Sequence, residues 1–312
     1  MPTLLYMHPS SLEHDPGPGH PESPARIRAI MSLLEREERK GALMGVQKRL
    51  PPQATHAQLE LVHSDRHVEM ILGSIPESGY SRLDADTVVS PGSGEAALRA
   101  AGAACAAVEA VIRGEGRNAL CALRPPGHHA ERARAMGFCL FNNVAAGARH
   151  ALAEHGLARV SIFDFDVHHG NGTQDIFERE PKVQYLSTHQ WPLYPGTGAR
   201  DETGVGNIVN RPLPAGTGSR EWRRVVENDI LPAIDGFAPD LIMISAGFDA
   251  HRDDPLAMLE LVEDDYHWVT RQVMLLAEKH SRGRVVSVLE GGYNLNALAN
   301  SLLAHLEALR GL

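Results

Sequence analysis

Carboxylate and imidazole side chains are concentrated in the short stretch of residues 164–173. Asp164, Asp166 and His168 alternate there, directly after the apolar run 160–163, which is typical of a buried strand. Alternate side chains of a strand point to the same face, so these three should converge if the strand continues that far. Buried carboxylates are costly unless they are paired or bind a cation. The stretch therefore favours a metal site over a polar strand end that simply meets solvent.

Polar clusters also follow three further apolar runs that we predict to be strands. These are His128-His129 after residues 119–123, Asp249 to Asp254 after residues 241–245, and Tyr293 after residues 285–289. In parallel α/β sheets, ligands bind outside the carboxyl ends of the strands. A single cluster could be coincidence, but four at the same edge of one sheet indicate one site.

The residues alone leave the metal and its third ligand open. Asp166 and His168 would be joined by an acid from Asp249, Asp253 or Asp254. Three protein ligands and one open position are typical of a catalytic metal site. Oxygen and nitrogen ligands without thiolate suit zinc, but also ferrous iron or manganese.

Two groups in these loops could handle protons. One of His128 and His129, on a loop made rigid by Pro125 and Pro126, could be a general base toward a metal-activated water. Tyr293 could donate a hydrogen bond to a developing oxyanion. Incidental loop histidines and a structural tyrosine remain the alternatives at this point.

The elements that would position these groups alternate between short apolar strands and helices. We predict strands at 3–7, 119–123, 160–163, 183–187, 241–245 and 285–289. We predict helices from Ser23-Pro24 to Gly41 and at 54–62, 65–72, 94–113, 142–154, 220–234, 263–279 and 295–309. Residues 8–24, with His8, His14 and His20, and residues 83–93 are expected to be surface loops. This order predicts an α/β fold in which a mostly parallel sheet has helices on both faces, with residues 1–312 forming one domain.

Composition narrows the class of protein. The chain of 312 residues carries a formal net charge of −9, which argues against binding nucleic acid or a membrane surface, because both need basic patches. Three dispersed cysteines argue against a disulfide framework and a thiolate zinc site. No apolar run is long enough for a membrane span, and residues 1–7 are too short for a signal peptide. We expect a cytoplasmic protein; the sequence leaves open whether it is a homo-oligomer.

Six motifs together resemble the histone deacetylase superfamily, which includes acetylpolyamine deacetylases and acetoin-utilization proteins. They are Arg124-Pro-Pro-Gly-His-His129, Gly137-Phe-Cys139, Asp164-Phe-Asp-Val-His-His-Gly-Asn-Gly172, Tyr194-Pro-Gly-Thr-Gly198, Ala246-Gly-Phe-Asp-Ala-His251 with Asp254-Pro255, and Glu290-Gly-Gly-Tyr293. They occur in the family's order and, with Met7, span nearly the whole chain. The resemblance implies the arginase/deacetylase fold, with an eight-stranded parallel sheet between helices, and a zinc-dependent amide hydrolase.

The resemblance also implies a role for each matching residue. The implied zinc ligands are Asp166, His168 and Asp254. His129 would be the general base and later the acid, His128 its electrostatic partner, and Tyr293 the group that polarises the substrate carbonyl. The substrate tunnel would include the backbone carbonyl of Gly137 and the side chains of Phe138 and Tyr194. A structural potassium ion would lie near Asp164, Asp166, His168, Ser187 and Thr188. Zinc is the implied catalytic ion, with ferrous iron as the alternative.

Particular residues bear on the branch of the family. Asn171 stands where class I enzymes have an aspartate and class II enzymes an asparagine; we expect it to contact His129, which it would leave less readily protonated. Tyr293 is retained where the nearly inactive class IIa enzymes of vertebrates have histidine. Leu256 replaces the acidic gatekeeper of the polyamine-specific branch, which favours an acylated lysine or an uncharged amide. Asp164 is expected to steady His128.

The resulting hypothesis is a zinc-dependent hydrolase that removes acetyl or other acyl groups from acyl-lysine or a similar acylated amine. One alternative keeps the chemistry but makes an acetylpolyamine or another small amide the substrate. Another is a catalytically silent protein that binds acyl ligands or a partner. The complete set of metal ligands, histidines and tyrosine argues against the silent protein, because binding alone needs neither a proton donor nor an open metal position.

Overall fold

Ten strands and ten α-helices make up the structure, a computed structural model that describes residues 1–312. The strands are β1 Thr3–Tyr6, β2 Val46–Arg49, β3 Ser81–Arg82, β4 Val88–Val89, β5 Asn118–Cys121, β6 Val160–Asp164, β7 Val183–Gln190, β8 Ile208–Leu213, β9 Leu241–Ala246 and β10 Val285–Leu289. The helices are α1 Pro24–Arg39, α2 His56–Glu60, α3 Asp65–Gly73, α4 Ser93–Ile112, α5 Asn143–His155, α6 Asn171–Phe177, α7 Ser219–Val225, α8 Leu231–Phe237, α9 Glu263–His280 and α10 Leu295–Arg310. A π-helical turn, Val226–Ile230, joins α7 to α8.

Eight of the strands form one sheet in the order β2-β1-β5-β10-β9-β6-β7-β8, and every neighbouring pair is parallel. The four strands from β5 to β6 in this order are buried along their whole length, as expected where helices cover both faces. The predicted mostly parallel sheet, and the eight strands that the family resemblance implies, are confirmed.

Two apolar layers flank the sheet. Along β9, Ile242 packs in one layer and Met243 in the other, because successive side chains of a strand point to opposite faces. Helices α1, α9 and α10 contribute to the first layer and α4 and α5 to the second. The sheet is thus covered on both sides, as the alternation of strands and helices predicts. No helix combines the length and the apolar character that crossing a membrane requires.

Several local features differ from the sequence-based expectation. The residue pattern does not predict β2 or β8, because these edge strands are only partly buried and lack an apolar run. The presumed surface loop 83–93 contains β4, where Val89 is fully buried. In the other presumed surface loop, His14 is 1% exposed. A buried partner offsets the cost of this burial, since His14 Nε2 lies 3.3 Å from a carboxylate oxygen of the equally buried Glu22.

Glu22 ties the amino-terminal loop to the rest of the fold. Its carboxylate accepts hydrogen bonds from the guanidinium groups of Arg124 and Arg26, and all three side chains are fully buried. Arg26 also donates from Nε to the backbone carbonyl of Gly292 at 2.7 Å. The loop, the end of β5 and the segment after β10 are therefore joined by one buried ionic network.

Helix α4 is rich in alanine and mostly buried, in agreement with the prediction of a closely packed helix. A methyl group at Gly102 would lie 2.2 Å from the carbonyl oxygen of Pro52 and 2.6 Å from the amide nitrogen of Ala54. The backbone before α2 therefore passes over α4 at a distance that only glycine permits.

We predict that Gly102→Ala lowers the free energy of unfolding by about 1–3 kcal/mol, because the added methyl group meets fixed backbone atoms. The matched control is Gly236→Ala in α8, where an added methyl group has nothing within 4 Å. That variant should be neutral or slightly stabilising, since alanine favours helix. Urea unfolding followed by circular dichroism measures both; equal effects would contradict the close approach.

Candidate active site

The four polar clusters lie side by side at one edge of the sheet. They follow β5, β6, β9 and β10, which are consecutive neighbours in the order β5-β10-β9-β6. Parallel strands present their carboxyl ends at the same edge. The predicted convergence of the clusters is therefore confirmed.

The loop after β6 is folded around carboxylates. Strand β6 ends at Asp164, so Asp166 and His168 do not share a face of a continuing strand, contrary to the expectation. Instead, the backbone N–H of Asp166 donates to Asp164 Oδ1 at 3.1 Å, and that of His168 donates to Asp166 Oδ1 at 2.8 Å. The N–H of Val167 donates to Asp249 Oδ1 at 3.0 Å. The acids thus bring the side chains together by binding the loop backbone.

Asp166, His168 and Asp249 could hold a metal ion. Each offers a ligand atom, and these atoms all lie within 4.8 Å of one another. His168 Nδ1 is 3.1 Å from Asp166 Oδ1 and 3.1 Å from Asp249 Oδ2. Both carboxylates are fully buried, and their ion pairs are with histidine rather than lysine or arginine. The buried negative charge suits a divalent cation.

The protonation of His168 shows the same excess of negative charge. Burial lowers its pKa, but hydrogen bonds to Asp166 and Asp249 outweigh burial and raise the pKa to about 10. A proton on Nδ1 therefore occupies the position between the carboxylates where a cation would be favourable. The imidazoliums of His128 and His168 together face three carboxylates, those of Asp164, Asp166 and Asp249, so an excess of negative charge remains.

The three acids proposed as the third ligand have different surroundings. Asp249 belongs to the ligand group, and the Asp253 side chain is 60% exposed. Asp254 is 7% exposed, and its carboxylate accepts hydrogen bonds from the N–H groups of Tyr293 at 2.7 Å and Leu256 at 3.0 Å. Burial and the charge of Asp249 raise the pKa of Asp254 to about 7.

The tandem histidines are held by different partners. His128 Nδ1 lies 3.0 Å from Asp164 Oδ2, whereas His129 Nδ1 lies 2.8 Å from Asn171 Oδ1. The amide of Asn171 is oriented by its Nδ2, which donates to Glu131 Oε1 at 2.8 Å. The two imidazole centroids are 4.0 Å apart. One ring thus contacts a carboxylate and the other a neutral amide.

These partners separate the pKa values of the two rings. Burial lowers the pKa of both. For His128, the charges of Asp166 and Asp164 outweigh burial and hold the pKa well above its ordinary value. For His129, the charges of His128 and His168 add to burial and hold the pKa well below it. At neutral pH, His128 is protonated and His129 is a neutral base, the separation of roles that acid–base catalysis needs.

Glu290 is a site residue to which sequence reasoning gave no role. Its Oε2 accepts hydrogen bonds from the backbone N–H groups of Gly127 at 2.6 Å and His128 at 3.1 Å. Burial raises the pKa of Glu290 to about 7. The sequence feature that could have indicated this role is the position of Glu290, directly after β10 in the motif that ends at Tyr293.

A cavity of about 220 Å³ opens above these groups. It is lined by Asp86, His129, Gly137, Phe138, His168, Leu193, Tyr194, Leu256 and Tyr293. All four residues predicted for substrate contact are among them, as are two that sequence reasoning did not assign to the site, Asp86 and Leu193. Asp86 lies in the turn between the two-residue strands β3 and β4, whose weak sequence pattern gave no signal.

Phe138 is fixed at the cavity wall by an unusual backbone. Its φ is 69°, and that of Gly137 is 56°. Such a conformation in a phenylalanine persists only when the surroundings impose it. Here the N–H of Gly137 donates to Asp86 Oδ1 at 3.2 Å and that of Phe138 to Thr87 Oγ1 at 3.1 Å. The aromatic ring then meets Tyr293 edge-on, with centroids 5.9 Å apart.

The Tyr293 hydroxyl remains protonated at physiological pH. Burial raises the pKa of Tyr293, and although the charge of Arg26 opposes this effect, the pKa stays well above its ordinary value. The Arg26 guanidinium lies 5.0 Å from the centroid of the Tyr293 ring. The hydroxyl is therefore available as a hydrogen-bond donor to a ligand in the cavity.

The residues expected near potassium lie on neighbouring strands. Asp164 on β6 pairs with Ser187 on β7. The Ser187 hydroxyl lies 2.9 Å from His189 Nδ1, and the Thr188 hydroxyl accepts a hydrogen bond from Trp222 Nε1 at 3.1 Å. A potassium site at this position stays a prediction.

Comparison with known proteins relates the chain to one family, both by sequence and by structure. Residues 20–309 match the family described as "Histone deacetylase domain". The chain is 40% identical to the "Histone deacetylase-like amidohydrolase" of Pseudomonas aeruginosa over 298 residues, which is 94% of this chain and 77% of the relative. It is 39% identical to a "Probable deacetylase" of Archaeoglobus fulgidus over 316 residues, covering 100% of this chain and 87% of the relative. The solved structure "Crystal Structure of HDA15 HD domain" matches with a TM-score of 0.93 at 35% identity, covering 99% of this chain and 88% of that one.

We predict that Asp164→Asn lowers the pKa of His128 by at least about one unit, because it removes an adjacent opposite charge. NMR titration of the imidazole C–H protons measures the shift, with the signal assigned by its loss in His128→Gln. Asp264→Asn, at an exposed position in the first turn of α9, should leave the pKa unchanged. An unaltered His128 titration in folded Asp164→Asn would contradict the ion pair.

Proposed function

The chain belongs to the histone deacetylase family, and we propose that it hydrolyses the amide of acylated lysine side chains, or of a similar acylated amine, at a zinc site. The family match and the deacetylase and amidohydrolase relatives make it a hydrolytic deacetylase with the arginase/deacetylase fold. The observation that carries the proposal is the neutral His129 at the cavity, beside a protonated His128 and a buried acidic group. A base, a proton donor and a metal-binding group thus surround one cavity.

The site's residues fit a zinc ion. Carboxylate oxygens and an imidazole nitrogen are ligands that zinc accepts, and ferrous iron accepts them too. When bound, zinc polarises a carbonyl oxygen and lowers the pKa of a bound water molecule. The buried negative charge around His168, with no lysine or arginine paired to it, supports a cation at this position.

We propose Asp254 as the third ligand beside Asp166 and His168. A catalytic ion needs an open position toward the substrate. The carboxylate of Asp254 bonds to the backbones of Leu256 and Tyr293, which both line the cavity. Asp249 is fully buried and binds the backbone of the loop after β6. Asp254 is therefore the acid nearer the cavity, and Asp249 is the competing assignment.

His129 acts as the general base. Asn171 Oδ1 accepts the hydrogen bond of His129 Nδ1–H, which leaves Nε2 free to take a proton at the cavity. The same nitrogen then returns the proton to the leaving amine. The protonated Tyr293 hydroxyl donates to the substrate carbonyl oxygen, where negative charge develops. Charged His128, paired with Asp164, favours the developing negative charge nearby.

The cavity supports a linear acylated amine as substrate. Phe138, Leu193, Tyr194 and Leu256 provide apolar and aromatic walls. These walls suit the aliphatic chain of a lysine side chain. The uncharged Leu256 gives a cationic polyamine no ion pair at that wall, and this supports acyl-lysine over acetylpolyamine. Asp86 also lines the cavity, but its carboxylate accepts the backbone N–H of Gly137.

We also propose a structural potassium ion at the ends of β6 and β7. Support comes from the buried charge of Asp164, which pairs with Ser187 across the two strands. A monovalent cation there would offset part of the negative charge behind the catalytic groups.

We predict that His129→Ala lowers kcat/KM for an acetyl-lysine peptide at least about a hundredfold, within the range for loss of a general base. His280→Ala, on α9, should retain wild-type activity. The assay releases acetate from zinc-loaded protein, with acetylputrescine tested alongside. Zinc-loaded wild type that hydrolyses no acyl amide would overturn the proposed function, and a preference for acetylputrescine would overturn the proposed substrate.

We predict that Asp254→Asn weakens zinc binding at the catalytic edge at least about tenfold, because the amide is a poorer ligand than the carboxylate. Asp253→Asn, one residue away but 60% exposed, should bind zinc as the wild type does. Competition with a chromophoric chelator measures the affinity. Undiminished affinity in Asp254→Asn together with a loss in Asp249→Asn would transfer the third ligand to Asp249.

A further inference from the structure

A second cluster of metal-ligating side chains lies between α4 and α5. Glu109 projects from α4, and His150 and His155 project from α5. Each offers a ligand atom, and these atoms lie within 4.8 Å of one another. Glu109 Oε1 is 3.1 Å from His150 Nε2, and the two imidazole centroids are 5.4 Å apart. None of the three has a role in the deacetylase site.

Two imidazole nitrogens of this cluster have no hydrogen-bond partner in the protein. His150 is 3% exposed, yet its Nδ1 is unpartnered, and so is the buried Nε2 of His155. Both residues line a cavity of about 450 Å³ with Glu109 and Glu154. Buried polar atoms are normally hydrogen-bonded. The unpartnered Nε2 of His155 at a polar cavity therefore points to a ligand, and the unpartnered Nδ1 of His150 leaves that ring free to bind an ion through Nε2.

We propose that Glu109, His150 and His155 form a second site for a divalent transition-metal ion, for which zinc is a suitable probe. Two imidazoles and one carboxylate suit zinc, nickel, copper or ferrous iron rather than calcium or magnesium. Tetrahedral ligands about 2.1 Å from zinc lie about 3.4 Å apart. Glu109 Oε1 and His150 Nε2, 3.1 Å apart, are close to that separation. These two atoms and His155 Nε2 are the proposed ligand atoms. The cavity leaves room for water as a further ligand.

Charges around the cluster permit the ion to bind. Arg113 Nη2 lies 3.3 Å from Glu109 Oε2, but its side chain is 61% exposed. The guanidinium can therefore remain paired with Oε2, which leaves Oε1 for the ion, or rotate into solvent. Glu154 adds a negative charge at the cavity.

The proposed site is remote from the catalytic edge. Helix α5 begins at Asn143, whose Nδ2 donates to the carbonyl oxygen of Pro125 in the loop that carries the tandem histidines. His155 ends the same helix, about 18 Å away at about 1.5 Å of rise per residue. An ion there would join the carboxyl end of α5 to α4. It would act on the position and stability of α5 rather than in the reaction.

Another group of possible ligands provides a matched control. His56, Glu60 and Asp65 also lie within reach of one ion, but all three are exposed. An exposed cluster has no unpartnered buried nitrogen to satisfy, and solvent screens its charges. We expect zinc to discriminate between the two clusters.

The test compares three proteins: the wild type, a double variant with both Glu109→Gln and His155→Gln, and the control variant His56→Ala. Each protein is freed of metal, equilibrated at one buffered free Zn²⁺ concentration and analysed for zinc per chain. The double variant should bind one equivalent of zinc per chain less than the wild type, however much zinc the catalytic edge binds. His56→Ala should bind as much zinc as the wild type. Asp166→Asn should retain the α4–α5 equivalent, which separates this inference from the proposed catalytic zinc.

Two readouts keep the result interpretable. Added Zn²⁺ should raise the Tm of Asp166→Asn, and this rise should disappear when the double substitution is added. Deacetylase activity of the zinc-loaded double variant should stay within about twofold of wild type, which shows that the protein is folded. Equal zinc content in wild type and double variant, or a loss in His56→Ala instead, would overturn the site.

Discussion

Buried negative charge at one edge of the sheet is the constraint on which the active site depends. Asp164, Asp166 and Asp249 are all fully buried there, as is Glu290, whose pKa of about 7 leaves it partly ionised at neutral pH. Charged groups in such a position need hydrogen-bond donors and cations. The loops after β5, β6 and β10 supply the donors from their backbone N–H groups. The carboxylates therefore determine the loop conformations, and the loops place the histidines.

The same charge sets the chemistry of the tandem histidines. Adjacent in sequence and both buried, His128 and His129 differ mainly in whether a carboxylate or an amide contacts Nδ1. The charges of Asp166 and Asp164 keep His128 protonated, and the charge of His128 helps to keep His129 neutral. A pair of identical side chains thus becomes one cation and one base through a difference in neighbours. Glycine makes the close packing possible, since a methyl group at Gly247 would lie 2.0 Å from Asp166 Oδ2.

Helix α5 connects the catalytic edge to the proposed second metal site. Its first turn is fixed beside the tandem histidines by Asn142 and Asn143, through hydrogen bonds to Ala130 and Pro125. Its last turn carries His155 next to α4. Gly147 and the alanines of α4 allow the helices to pack closely between these ends. The two sites share a rigid element while differing in exposure and chemistry.

The sequence by itself determined the architecture and the edge where the chemistry lies. Apolar runs marked six of the eight sheet strands, and the polar clusters behind four of them predicted one site, because parallel strands end together. Motif order identified the family, and Asn171 could be named as the neighbour of His129. The strands and the shared edge follow from local pattern and from general rules of parallel sheets, whereas the family and the contact of Asn171 with His129 follow from the resemblance of the motifs.

Only the tertiary structure decided the features that depend on long-range contacts. Strand β6 stops at Asp164, and the side chains beyond it converge through carboxylate–backbone hydrogen bonds. One of these, from Val167 to Asp249, spans 82 residues along the chain. The edge strands β2 and β8 have too little burial to leave a pattern. Glu290 acquires its role by reaching the backbone of a loop 163 residues earlier. The meeting of Glu109 with His150 is likewise a product of helix packing, because no local sequence pattern specifies which buried atoms will face each other across two elements.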